Sequence, residues 1–249
     1  MKKAHAHPQL SKTPDGFSLV EISIVLVILG LLIGGTLAGQ NLIKASELRA
    51  VTTEFQQWQG AVNTFRDKYM AIPGDFAKAA SFWPGDTQNG TGNGQITAGE
   101  VADDDEELFL FWQHLALANM IPGVYSGVAG GGGTAHVIPG ENAPTSRYGG
   151  GWTATTREGG SGARYNYLYK NVFLIGAATT SSLTQNALMP PYDAWNIDNK
   201  FDDGKPGLGN IIALYWATCA NSTSNMDYDK TYAMDDEENR CALYFLNGI

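Results

Sequence analysis

Glu21 is the one charged residue between Phe17 and Gln40, a run of 24 residues that is otherwise apolar, small or hydroxylated. As a helix that run would be about 36 Å long, enough to cross a hydrocarbon core of about 30 Å. A carboxylate inside such a span is costly to desolvate. Its chemistry is therefore ion pairing, and a cation has to be brought to it. Gly16 stands directly before the run, at its boundary with a basic segment carrying Lys2, Lys3 and Lys12.

A second constellation has the spacing of a calcium loop. Asn89, Thr91 and Asn93 put oxygen-bearing side chains at positions 1, 3 and 5, with Gly94 at position 6. Gln95, Ile96 and Thr97 come next, and Glu100 stands at position 12, where an EF-hand places its bidentate ligand. Alternate residues of a tight loop point inward, and the glycine allows the sharp turn. Only Glu100 is charged, so the expected calcium affinity is in the millimolar class of extracellular sites. The other reading of these residues is a Gly/Asn-rich turn joining two elements.

The two cysteines, Cys219 and Cys241, both lie near the C-terminus. In an oxidising compartment they are expected to form one bridge; two buried thiols are the alternative. His5 and His7 lie in the basic segment, and His114 and His136 stand in unrelated contexts. There is no G-x-S-x-G and no H-E-x-x-H, so the reading is that the chain is not an enzyme.

These residues need elements to position them. After the apolar run, Leu48, Val51, Phe55, Trp58, Val62, Phe65 and Tyr69 fall at alternating spacings of three and four, a helical stripe. Glu47, Arg49, Glu54, Gln56, Gln57, Arg66, Asp67 and Lys68 make the polar face. One helix is expected from Phe17 to about Tyr69, ended by Ile72-Pro73-Gly74. A second helix is expected over Glu106–Met120. Ser181 and Ser182 can cap a third, through Ala187, and Pro190-Pro191 can open a fourth. That last helix would turn Tyr192, Trp195 and Phe201 inward and stop at Gly204. Asp193, Asp198, Asp202 and Asp203 cluster there; the run reads as a solvated acidic helix end, with a second cation site as the alternative. Strands are expected within Tyr165–Ile175, Ile211–Cys219 and Cys241–Leu246. Gly130–Gly133 and Gly149–Gly151 read as surface loops.

Gly16-Phe17-Ser18-Leu19-Val20-Glu21, with the apolar run behind it, resembles the cleavage and methylation signature of type IV prepilins and type II secretion pseudopilins. The resemblance covers roughly the first quarter of the chain. It implies a leader at 1–16 cut after Gly16 by a prepilin peptidase. It implies N-methylation of the new terminus, Phe17, and pairing of Glu21 with the terminal ammonium of a neighbouring subunit during assembly. The implied fold class is α+β, shaped like a lollipop. A long N-terminal helix would be transmembrane over 17–40 and amphipathic over 41–70. It would pack on an antiparallel sheet in an extracytoplasmic globular domain over 71–249. A C-terminal disulfide-bounded loop is common in such proteins, which fits Cys219 and Cys241. The implied partners are copies of the chain, other pilin-like subunits and the inner membrane.

Composition bounds these readings. The 249 residues carry a net charge of −9, which becomes −11 without the leader's three Lys and one Asp. An acidic surface argues against nucleic-acid binding through the bulk of the domain. The leader lysines favour a cytoplasmic N-terminus and place the chain beyond the span outside the cytoplasm. The leading function class is a structural subunit of a type IV pilus or type II secretion pseudopilus. A membrane-anchored binding protein for a glycan or surface is the alternative, and an anchored hydrolase has the least support. Other N-terminal readings are a secretory signal peptide and a plain anchor.

Overall fold

The structure is a computed structural model, and it describes residues 16–97, 106–157, 165, 169–214, 218–222 and 224–249. The chain divides into two compact units, Met1–Ala45 and Ser46–Ile249. One helix, α1 (Leu19–Tyr69), begins in the first and ends in the second.

In the first unit the apolar side chains of α1 stay exposed: Leu26 is 63 % and Leu31 73 % accessible. An 18-residue window of this helix reaches a mean hydropathy of 2.5 with none of it buried. The helix is long and apolar enough to cross a membrane. Gly30, Gly34, Gly35 and Gly39 lie along it with open space where a Cβ would stand.

In the second unit the expected stripe faces the core. Val51, Trp58, Val62 and Phe65 are buried, and Leu48, Phe55 and Tyr69 pack partly buried against them. Glu54, read from sequence as part of the polar face, is buried as well, because two donors reach it from the domain. Past Tyr69 the chain turns through Met70 (φ 53°) and Gly74 (φ 83°). A Cβ on Gly74 would lie 2.4 Å from the carbonyl oxygen of Glu107, so only glycine fits this crossing. A single-turn helix, α2 (Ala79–Phe82), comes next, then α3 (Glu107–Leu117), on which Leu108, Phe109, Trp112 and Leu115 are buried.

Four strands make one antiparallel sheet: β1 (Gly151–Arg157), β2 (Lys170–Gly176), β3 (Ile211–Leu214) and β4 (Ala242–Phe245). Their spatial order is β1-β2-β4-β3. One row across the sheet is Ala154, Phe173, Phe245 and Ile211. Phe55 of α1 meets Phe245 at 4.7 Å and Phe173 at 6.0 Å between ring centroids. Phe111 and Trp112 of α3 also meet Phe173, and Trp58 stands edge-on to Trp112. Aromatic contacts between α1, α3 and the two central strands thus form the centre of the core. Both sheet edges are covered. Trp152 and Thr156 of β1 donate to the carbonyls of Pro144 and Ile96, and Ala213 of β3 donates to that of Pro206.

Three sequence readings differ from this. β1 begins at Gly151, which reads as loop because of its glycines. No helix follows Ser181 and Ser182; Asn186 bridges to Ala177 and Met189 to Cys241. The helix opened by Pro191, α4 (Pro191–Phe201), is present with its proline in the first turn. However, Tyr192 and Phe201 are 54 % and 50 % exposed, and Trp195 is only half-buried. The inward face is Ala194, Ile197, Asp193 and Asp198. The carboxylates go inward because tyrosine hydroxyls receive them there, Tyr148 on Asp193 and Tyr232 on Asp198.

Cys219 and Cys241 are bonded, with their Cα atoms 5.0 Å apart. The bridge closes a 22-residue separation and ties the segment before Tyr232 to the start of β4. Reduction should cost about 3 kcal/mol through the unfolded chain's regained freedom. Urea unfolding with and without dithiothreitol reads that loss, and an unchanged midpoint would refute it.

Candidate functional site

The residues singled out at the N-terminus sit at the head of α1. The Ser18 amide donates to Glu21 Oε2 at 2.8 Å, and the Glu21 amide donates to Ser18 Oγ at 3.3 Å. This is a capping box: two amides with no partner in the helix are satisfied by each other's side chains. Its signal, Ser18-x-x-Glu21, is in the sequence, and reading Glu21 only as an ion-pair partner passed over it. The result is a carboxylate held in the first turn, where the helix dipole favours it. Phe17 is 85 % exposed, and nothing lies within 4 Å of where a Cβ on Gly16 would be. The chain's own packing therefore makes no demand for glycine at position 16.

In the stretch with calcium-loop spacing, the asparagine oxygens meet amides and the threonine hydroxyls meet a carboxylate. Asn89 Oδ1 accepts from the Ala80 amide at 2.9 Å, and Asn93 Oδ1 from the Gln95 amide at 2.8 Å. The Thr91 and Thr97 hydroxyls donate to Glu107. Glu100 lies outside the described residues. The loop's own amides point at two buried carboxylates, those of Asp75 and Glu107. Asp75 accepts from the amides of Asn93 and Gly94, and Glu107 from those of Thr91 and Thr97. Burial raises the Glu107 pKa, partly offset by the Thr91 and Thr97 donors. A cation here would have to draw the asparagine oxygens off those amides. Asp75 and Glu107 would then be the carboxylates already at hand. From sequence, Asp75 reads as part of a helix stop, and Glu107 has no reading beyond its place in the helix expected over Glu106–Met120.

His114 is buried beside this loop. Its Nδ1 accepts from the Gly74 amide at 3.0 Å, so Nε2 carries the proton and faces the Gln88 carbonyl at 3.3 Å. Burial pushes its pKa down to about 4, against a smaller opposing effect of the Gln88 carbonyl. Neutral and stacked on Phe65 and Trp83, it joins the α1–α2 turn to α3.

At the end of α4, oxygens of Asp198, Asp202 and Asp203 lie within 4.8 Å of one another. Asp198 is fully buried and accepts from Tyr232 Oη at 2.7 Å and the Gly204 amide at 3.2 Å. Burial raises its pKa to about 7, and Asp202 and Asp203 push the same way. Asp202 Oδ2 takes the amides of Asn210 and Ile211. Asp203 Oδ1 takes the Lys205 amide at 2.8 Å, so all three carboxylates are committed to the chain's own donors.

Comparison with protein-family models, with curated proteins and with solved structures finds no match in any of the three.

Proposed function

We propose that the chain is a pilin-like structural subunit of a type IV pilus or type II secretion pseudopilus. The observation that carries this reading is the head of α1. There Glu21, the only charge between Phe17 and Gln40, is fixed in the first turn by Ser18, next to an exposed Phe17 and an unconstrained Gly16. A prepilin peptidase hydrolyses the Gly16–Phe17 bond, leaving an ammonium on Phe17 that is then methylated. That cation meets Glu21 of a neighbouring copy, which removes the cost of an unpaired carboxylate in lipid. The glycines with open Cβ positions on α1 allow close approach of other helices. Before assembly the helix sits in the inner membrane, with Ser46–Ile249 outside the cytoplasm. The bridge between Cys219 and Cys241 suits that compartment.

Gly16→Val should abolish leader removal, because the peptidase has to accommodate that residue at the cut. Intact-mass measurement after co-expression with a prepilin peptidase should find a mature chain starting at methylated Phe17, and uncut precursor in the variant. Cutting at an unchanged rate in the variant would remove this reading. A membrane-anchored binding protein is the second reading, favoured by the outward aromatic face of α4. Its mature chain would start at Met1, whereas a signal-peptidase product would start near Gln40 and have lost the anchor.

A further inference from the structure

α4 turns Asp193 and Asp198 inward and leaves Tyr192 exposed, with Trp195 beside it half-buried: one part of the indole packs on the core and the rest reaches solvent. Tyr192, Trp195, Asn196 and Asn199 follow the i, i+3, i+4, i+7 spacing and share one face. The rings of Tyr192 and Trp195 lie 5.9 Å apart at 37° and form a tilted pair at the surface. Asn196 Nδ2 is held by the Tyr192 carbonyl. Among the described residues, the Trp195 indole N–H, the Asn199 carboxamide and the Tyr192 hydroxyl have no protein partner. The first two border one spot. A Cβ on Gly204 would fall 3.1 Å from Asn199 Oδ1 and 3.4 Å from Trp195 Nε1. Gly204, at φ 73°, puts nothing there.

We propose that this face is a binding site for a neutral saccharide. A sugar ring has an apolar C–H face and a rim of hydroxyls. The Tyr192 and Trp195 rings, inclined at 37° to each other, offer two adjoining apolar surfaces for the first. The indole N–H donates to a hydroxyl at the Gly204 gap, and the Asn199 carboxamide, both donor and acceptor, takes its neighbour. The stripe itself carries no charge. Lys200 is the next residue on the helix, and Asp202 and Asp203 follow just past its end, so both signs of charge stand near the stripe in the chain and no single sign selects an ionic ligand. One open face with three polar contacts implies millimolar affinity per site, gained over several sugar units. The proposal does not depend on whether the chain is built into a filament.

The test uses the full chain in dodecylphosphocholine micelles, which carry no sugar headgroup. Cellohexaose, maltohexaose and chitohexaose are each added at about 5 mM, within that affinity class, and binding is read by saturation-transfer NMR. At least one should receive transfer. Trp195→Ala and Asn199→Ala should each weaken binding by about tenfold or more. Asn199 is exposed, so its variant should leave Tm nearly unchanged, whereas Trp195 packs partly against the core and its variant should lower Tm. Gly204→Asn should do the same, since Asn tolerates a positive φ and its side chain fills the gap. It carries the test if either alanine variant fails to fold. No transfer to any of the three sugars overturns the proposal, as does transfer unchanged in all the variants. A change in oligomeric size on Trp195→Ala without sugar binding also overturns it, and would assign the face to a protein partner.

Discussion

Glu54→Ala should lower the unfolding free energy of the domain by about 4 kcal/mol. Glu54 accepts from the Trp152 indole N–H at 2.8 Å and from the Arg147 amide at 2.9 Å. Trp152 is fully buried on β1, and Arg147 lies in the turn that leads into that strand. Removing the carboxylate leaves two donors without a partner, each worth about 1–3 kcal/mol when buried. Glu54→Gln should cost less. Its carbonyl oxygen can keep one donor, while its NH2 group meets the other donor head-on. Urea titration in detergent, followed by tryptophan fluorescence, ranks native, Gln and Ala variants in that order of stability. An Ala variant within 1 kcal/mol of native would show that water satisfies those donors.

Glu54 also shows where the sequence is legible and where it is not. The α1 stripe, α3 and the strands β2, β3 and β4 can be read because apolar pattern and β-branched or aromatic runs report which segments are covered. Periodicity says nothing of a buried carboxylate, whose place is set by partners 93 and 98 residues away. Asp75 and Glu107 are missed for the same reason. Each looks like a solvated acid until the amides of Asn93, Gly94, Thr91 and Thr97 arrive from a loop that only the fold brings near. β1 is hidden differently. Trp152 and three β-branched threonines mark it, but the run of glycines before it dominates a local reading. On α4 the rule that aromatics go inside fails because Tyr148 and Tyr232 give Asp193 and Asp198 a better reason to be inside. At the head of α1, by contrast, local residues suffice: the whole capping box is contained in Ser18-x-x-Glu21.

The second large effect is on pH, where two buried groups oppose each other. Asp198 titrates near 7 in the folded chain, against an ordinary 3.8. Between those values the folded form keeps a proton that the unfolded form has lost, so its contribution to stability falls as pH rises from about 4 to 7. At 1.36 kcal/mol per unit this amounts to about 4 kcal/mol. His114 does the reverse: its pKa is about 4 folded against an ordinary 6.5. Between those values the unfolded form holds the extra proton, and stability rises with pH by about 3 kcal/mol. Over pH 4 to 6.5 the two slopes largely cancel, and above 6.5 only the Asp198 loss remains. Glu107, also raised by burial, adds to the Asp198 side at the acid end. Asp198→Asn keeps an acceptor for Tyr232 and removes the titration. Its stability should therefore rise from pH 4 to 6.5 and then level, whereas the native chain should be nearly flat there and fall toward pH 7.5. Urea midpoints taken every half unit separate the two curves. Parallel curves would mean that Asp198 is already ionised at low pH, so that Tyr232 and Gly204 outweigh burial at the end of α4.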